Sequence, residues 1–314
     1  MPGNMTRKKI NRIFLTGASG FVGAEVVRQL LLDGRDVAVL MRPSTNPRRI
    51  QKFLGLCTVI IGDLRNTEEI HSALLNFSPE AVIHLGWDGV KGADRNSPVQ
   101  MDNIVSSINL HKLTSQIGCR YFIGLGSQAE YGQLSGRIFE DASTHPTTCY
   151  GAAKLATGLA LERSAVAIER PFGWLRLFSS YGPDDDPSWL IPYLIKTLLA
   201  GEKPSLTTAG QIWDYIHVKD VAGGIIASLD AQVCGIFNLG SGDGRPLYDI
   251  ITMIRDAINP NLPLGFGDIP YRPDQVMHLE ADIGALSAAS GWRPTISLES
   301  GIAETVAWYR STLK

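Results

Sequence analysis

Cysteine is scarce in this chain: four in 314 residues, at positions 57, 119, 149 and 234, with no C-x-x-C spacing and no histidine cluster beside them. That excludes a disulfide scaffold and argues against a metal site. The four read instead as reduced core or helix residues of a cytoplasmic protein. An excess of either charge is also missing, since 29 Lys and Arg face 31 Asp and Glu for a formal net charge of -2. No electrostatic case therefore exists for binding nucleic acid or an anionic membrane. Long hydrophobic runs are absent too: "WLIPYLIKTLLAG" is interrupted by Pro192 and Lys196 and is too short to cross a bilayer. "MPGNMTRKKINR" has basic residues with no apolar segment after them, so it reads as a short disordered arm rather than a secretory signal. No internal repeat or low-complexity block occurs.

What is present is an ordinary globular composition, 44% hydrophobic and 19% charged, in a chain longer than the usual single domain. Six short apolar runs, "RIFLTG", "VAVLM", "TVIIG", "AVIHLG", "YFIGLG" and "WLRLF", read as strands. Their near-continuous apolarity is that of parallel strands covered on both faces. Helical patterns fall between them, at 21–33, 67–76, about 98–117 and about 148–169. This cadence predicts right-handed βαβ units and an α/β fold with a doubly wound parallel sheet of Rossmann type. After about residue 180 the rhythm loosens around Pro183, Pro187, Pro192 and Pro204. The expected division is a dinucleotide-binding domain over 8–180 and a smaller substrate-binding lobe over 181–314, with the stretch 212–240 free to rejoin the main sheet. The lobe would sit over the C-terminal ends of the strands, where open α/β sheets bind ligands.

"LTGASGFVGAEVVRQLL" follows the first strand and opens the first helix, with Gly17, Gly20 and Gly23 spaced G-x-x-G-x-x-G. Gly17 permits a tight turn, Gly20 lets a pyrophosphate approach the backbone, and Gly23 allows close helix–strand packing. Free N–H groups and the helix dipole then hold the phosphates. The second strand ends "VLMRP", offering Arg42 where an NAD site usually has an acidic residue, with Arg48 and Arg49 following. A guanidinium can pair with a 2′-phosphate, so the pattern favours NADP(H) and leaves NAD(H) open. The alternative for Arg42 is a solvated strand-end charge. Asp63, in "IIGDLRN", is placed either to bind an adenine amino group or to cap the helix near Thr67.

"GLGSQAEYG" puts Ser127 at the end of the fifth strand, and "CYGAAK" opens the next helix with Tyr150 and Lys154 one turn apart on one face. The same spacing recurs at Tyr215 and Lys219, but across a strand-to-helix junction of the second half, where "WDYIHVKD" suits packing. The chemistry favours the first pair. A free tyrosine has a pKa of about 10, and a nearby ammonium lowers it by roughly 1–3 units. Ser127 would hold a substrate oxygen against the phenol while Tyr150 protonates it, and Lys154 would also anchor ribose hydroxyls.

With "TGASGFVG", "GDL", "IHLG", "GSQAEYG", "YGAAK", "LRLFSSYGPDD", "WDYIHVKDVA", "FNLGSG", "YRPDQ" and "GWRPTISLESGIAETVAWYR" in this order, and Asn103 in the helical pattern at 98–117, the chain resembles the extended short-chain dehydrogenase/reductases. Within them it is most similar to the NAD-dependent epimerase/dehydratase family, which acts on nucleotide sugars. The resemblance implies that Ser127, Tyr150 and Lys154 are the catalytic trio and that Arg272 pairs with a nucleotide diphosphate. It further implies cofactor contacts from Ser19, Phe21, Val22, Leu64, Leu85, Gly86 and Phe178, and substrate contacts from Trp87, Gln128 and Ser179. A homodimer through the helices at 98–117 and 148–169 is likewise implied, with Ala152, Ala153, Ala156, Gly158 and Leu159 at the contact; the same residues would also serve as ordinary core.

Three departures refine the expectation. The 4,6-dehydratases of the family carry Asp-Glu after the catalytic Ser or Thr, whereas this chain has Gln128 and Ala129, which do not ionise. Trp213 replaces a family arginine ahead of "DYIHV". The small pair after the fourth-strand histidine has become Leu85, Gly86 and Trp87, so the loop "WDGVKG" either shapes the sugar pocket, through Asp88 or Lys91, or is simply solvated. The leading expectation is an NADPH-dependent reductase of a nucleotide-diphospho-4-keto-6-deoxyhexose. A nucleotide-sugar 4-epimerase with tightly held NAD is the second. Arg272 argues against a reductase of unrelated ketones, and the complete trio argues against a non-catalytic cofactor sensor.

Overall fold

A computed structural model describes residues 9–273 and 275–312; most of the N-terminal arm, residues 1–8, lies outside the described residues. The apolar runs form β1 (Arg12–Thr16), β2 (Asp36–Met41), β3 (Thr58–Ile61), β4 (Ala81–His84) and β5 (Tyr121–Ser127), joined by the strands Phe172–Leu177 and Gly235–Leu239. All seven lie parallel in the order β3-β2-β1-β4-β5, then Phe172–Leu177, then Gly235–Leu239. The order reverses direction between β1 and β4, and a crevice opens there at the C-terminal ends of the strands.

Each face of the sheet has its own core, which is why the strands are apolar throughout rather than alternating. On one face, Val26, Val27 and Leu30 of α1 (Phe21–Leu32) meet Val221, Ile225 and Leu229 of α6 (Val218–Ala231) and Leu286 of α8 (Gly284–Ser290). On the other, Ile70 and Leu74 of α2 (Thr67–Phe77), Leu110 of α3 (Val99–Gln116) and Leu161 of α4 (Cys149–Ala167) pack on Phe14, Val82, Phe122 and Trp174. The Trp174 indole lies so close to Gly124, Gly126 and Gly158 that a methyl group on any of the three would overlap it.

The second lobe has a third core, built by α5 (Leu190–Leu199), α7 (Leu247–Ile258) and α9 (Leu298–Thr312). Gly235–Leu239 completes the main sheet, whereas Ile212–His217 stands in a second sheet between Gly244–Pro246 and His278–Ala281, not in the first. That second sheet also takes in Arg137–Ile138, contributed from between β5 and α4. Asp214 fastens it, accepting the Ser241, Gly242 and Ala281 N–H groups at 2.8–3.0 Å and the Ser241 hydroxyl at 2.6 Å. Of the cysteines, Cys119 is buried, while Cys149 and Cys234 are exposed, so the expectation of core or helix positions fails for Cys234 in particular, which lies between α6 and the last main-sheet strand.

Candidate active site

The glycine turn has the geometry its spacing predicts. Gly17 adopts φ +76°, and a Cβ there would stand 2.7 Å from the Gly86 nitrogen. A Cβ on Gly23 would overlap the Gly17 carbonyl. Helix α1 begins at Gly20 with no side-chain cap and no acidic residue in its first turn. An uncapped helix start facing a crevice suits a pyrophosphate, so these residues fit a dinucleotide.

The partner turn after β4 is held by a directed relay. Gly86 N–H donates to Thr16 Oγ1 at 3.1 Å, Thr16 Oγ1 meets His84 Nδ1 at 2.8 Å, and His84 Nε2 meets Ser107 Oγ at 2.9 Å. Ser107 in turn donates to the Asn103 carbonyl at 2.7 Å. Only one assignment satisfies every member: Thr16 donates to Nδ1 and the imidazole is neutral with its proton on Nε2. Complete burial agrees, lowering the His84 pKa to about 3.

Loop 87–92 is locked by two side chains of α3. Gln100, itself buried, accepts the Trp87 indole N–H at 2.9 Å and donates to the Gly89 and Asp94 carbonyls at 2.8 and 2.9 Å. Asn103 bonds both the N–H and the C=O of Asp88, at 3.1 and 2.9 Å. The loop is therefore built structure, not solvated chain. Neither charge that the sequence offers to a substrate is free: Asp88 forms a two-pronged pair with Arg42 at 2.8 and 3.1 Å, and Lys91 pairs with Asp186.

Ser127, Tyr150 and Lys154 come together on the wall of one cavity of about 1160 Å³. Thr148 caps α4 through the Gly151 N–H, and the next turn brings both Tyr150 and Lys154 inward, buried. The Ser127 hydroxyl is near enough to the Tyr150 phenol to favour its ionised form. Ser127 is set by Glu130, whose carboxylate accepts the Ser127 N–H at 2.9 Å, the Trp174 indole at 3.0 Å and the Arg176 guanidinium at 2.8 Å. The Lys154 ammonium donates to the Leu125 carbonyl at 2.7 Å and lies 3.7 Å from the Trp87 ring centroid. Burial brings its pKa down to about 7, against the pull of Glu130.

One electrostatic expectation is not met. Burial pushes the Tyr150 phenol above its ordinary value; the Ser127 hydroxyl and the Arg95 charge oppose this, and Glu130 adds to it. Lys154 is not among the groups that lower it. A cation that does is Arg95, its guanidinium carbon 4.4 Å from the Tyr150 ring centroid.

Gly17, Gly20, Phe21, Val22, Gly23, Leu85, Trp87, Gln128, Phe178, Ser179 and Arg272 line the same cavity; Ser19, Arg42, Asp63, Leu64 and Gly86 do not. Asp63 does not cap α2, since the N-cap position is Asn66; its carboxylate is engaged by Arg65, which holds its pKa at about 2. Trp213 donates its indole N–H to Ser179 at 2.8 Å, taking up a hydroxyl expected to face substrate. Of the second Tyr–Lys pair, Tyr215 lines the same cavity, its pKa raised by burial, whereas Lys219 does not and is bound to Glu304 at 2.6 Å.

The sequence profile of the NAD dependent epimerase/dehydratase family matches residues 13–240. The chain belongs to that family. Within this epimerase/dehydratase family it is 27% identical to a UDP-glucose 4-epimerase of Corynebacterium glutamicum, over 90% of this chain and 91% of the relative. It is 24% identical to the CDP-abequose synthase of Salmonella muenchen, over 93% and 95%. A UDP-glucose 4-epimerase of Thermus thermophilus, solved with NAD, superposes with a TM-score of 0.86 at 25% identity, over 96% of this chain and 99% of that one. The chain is thus an epimerase/dehydratase-family enzyme of oxidoreductase type with a Rossmann-like fold, among relatives that act on nucleotide sugars. Among the described residues no helix is long and apolar enough to cross a membrane.

Arg95, Gln100 and Glu130 carry much of the site's architecture and were not singled out from sequence. Gln100 and Glu130 are polar residues at buried positions, a signal that appears only once burial is known. Arg95 sits in a polar loop that reads as solvated.

Proposed function

We propose that the protein reduces the C4 ketone of a nucleotide-diphospho-4-keto-6-deoxyhexose, using NADPH, with Tyr150 as proton donor. The observation that carries this reading is the fixed indole of Trp87. It is pinned by Gln100, covered on one face by the Lys154 ammonium, and set edge-on to Tyr150 with ring centroids 6.3 Å apart. An epimerase must turn its keto intermediate to offer both faces of one carbon. A rigid wall beside the proton donor favours a single orientation, which suits a one-way reduction.

When bound, the nicotinamide supplies the hydride. The chain's own residues do the rest. Gly17, Gly20 and the first turn of α1 would hold the pyrophosphate, and Lys154 would hold the ribose once its ammonium leaves the Leu125 carbonyl. Ser127 orients the ketone oxygen, and Tyr150 delivers its proton to that oxygen as the carbon becomes tetrahedral. Gln128 and Ala129 give no acid or base for dehydration. Arg272, on the rim of the cavity, offers a forked donor to a diphosphate. Val90, Trp189 and Leu190 on the cavity wall suit a methyl group at C6.

The 2′-phosphate would require Arg42 to exchange Asp88 for a new partner. Both side chains of that pair are 44% exposed, and an ion pair in such a setting is worth about 0–1 kcal/mol, little resistance to a doubly charged group. A 4-epimerase with tightly held NAD is the second reading; the names of the relatives and the present Arg42–Asp88 pair favour it. We further read the exposed row Met101, Val105 and Ile108 on α3, beside Leu159 and Val166 on α4, as the surface of a homodimer.

Incubation with a nucleotide-diphospho-4-keto-6-deoxyhexose and NADPH should consume the reduced cofactor in step with product. No loss of NADPH with the ketone, together with interconversion of the two C4-hydroxyl epimers of a nucleotide sugar without net redox change, would instead establish the epimerase. Tyr150→Phe should keep cofactor affinity and lower turnover by about 100-fold or more.

A further inference from the structure

Arg95 lies in the short 3-10 turn Gly92–Asn96, ahead of α3 and far from Tyr150 in sequence. The structure fastens this turn to the start of α4. Asn96 Oδ1 accepts the Cys149 N–H at 3.0 Å, one residue before Tyr150, and Gln100 holds the Asp94 carbonyl at 2.9 Å. Arg95 also donates to the Val90 carbonyl at 3.3 Å. Its guanidinium is thereby presented to the phenol ring 4.4 Å away, half-buried and on the cavity wall.

A cation stacked on an aromatic ring is attracted by the ring's negative face, and the attraction grows when the ring itself carries charge. The lysine four residues after the tyrosine is engaged by other groups. Its ammonium is spent on the Leu125 carbonyl and the Trp87 face, and it stands near the midpoint of its own titration at neutral pH. An arginine carries its charge across the accessible pH range.

We propose that Arg95 is a positioning residue that acts through Tyr150: stacked on the phenol, it stabilises the phenolate left after proton transfer and sets the pH at which that proton is exchanged. Its part in turnover rests on Tyr150 being the proton donor. The other groups facing Tyr150 are the Ser127 hydroxyl and the Glu130 carboxylate from the end of β5, and Lys154 from α4. The same cavity is also lined by Asp185 and the Lys91–Asp186 pair. Of these, Ser127 and Arg95 favour the phenolate and Glu130 opposes it.

The test is an ultraviolet titration of phenolate absorbance in the full-length protein, with Tyr150→Phe as the subtraction reference, for the wild type, Arg95→Met and Arg95→Lys. In Arg95→Met, Tyr150 should hold its proton about tenfold more tightly, titrating about one pH unit higher. The protonated phenol is the form that reduction needs, so the alkaline limb of the pH–rate profile should move upward with it. Arg95→Lys, which keeps the charge, should recover at least part of the shift. A titration unchanged in Arg95→Met, or Arg95→Lys behaving as Arg95→Met, overturns the proposal. The titration needs no substrate and is separable from the catalytic reading. If Tyr150→Phe left turnover intact, the proton-donor role would fail while the coupling to Arg95 would still be measured.

Discussion

Three constraints act on the Lys154 ammonium: a main-chain carbonyl, an indole face and burial. The sequence spacing places Lys154 beside Tyr150 on one helical face, and the structure agrees. What spacing cannot supply is the ammonium's partners, because they come from β5 and from the loop after β4. The same limit applies to Arg42. The strand end exposes it, but Asp88, the carboxylate it meets, arrives from a loop that composition presents as solvated. If the 2′-phosphate reading is right, Asp88→Asn removes a competing negative charge. It should then raise the preference for NADPH over NADH by about three- to fivefold, measured as the ratio of dissociation constants by cofactor fluorescence, which corresponds to the about 0–1 kcal/mol of an exposed pair. A gain for NADH would place Asp88 elsewhere in cofactor recognition.

Among the elements, the short turn Gln128–Glu130 ties Ser127 to the core. Ser127 accepts the Ala129 N–H at 3.2 Å and Glu130 returns a bond to the Ser127 N–H, a capping box that fixes the serine's backbone. The other oxygen of Glu130 holds the buried guanidinium of Arg176 at 2.8 Å. Removing one member of such a buried pair strands the other, so Glu130→Ala should cost about 3–5 kcal/mol, read from the midpoint of urea unfolding. The strands were legible because a short apolar run is a local signal. The glycine turn was legible because the room a Cβ would need at Gly20 and Gly23 is taken by Gly17, a few residues before. Glu130 was not: in sequence it is one acidic residue in "SQAEYG", and its partners Trp174 and Arg176 belong to a later strand.

For the whole molecule, the doubly wound sheet followed from the alternation of patterns, while the second lobe was blurred because its sheet is assembled from distant pieces, Arg137–Ile138 included. Helices α3 and α4 leave Met101, Val105, Ile108, Leu159 and Val166 exposed, whereas Ala153 and Gly158 turn into the core. If that face joins two copies, Val105→Glu with Leu159→Glu should convert dimer to monomer in sedimentation velocity without altering the circular dichroism spectrum. A single unchanged species would remove the surface from consideration.

The indole of Trp174 fills the room left by three glycines on two elements, and its N–H reaches the carboxylate that sets Ser127. No one of these positions is at liberty to drift alone. A side chain gained at Gly124, Gly126 or Gly158 must coincide with a smaller ring, and a smaller ring withdraws a donor from the reaction centre. Ancestry would therefore hand down these four sites as one inherited block, coupling the interior of the sheet to its chemistry.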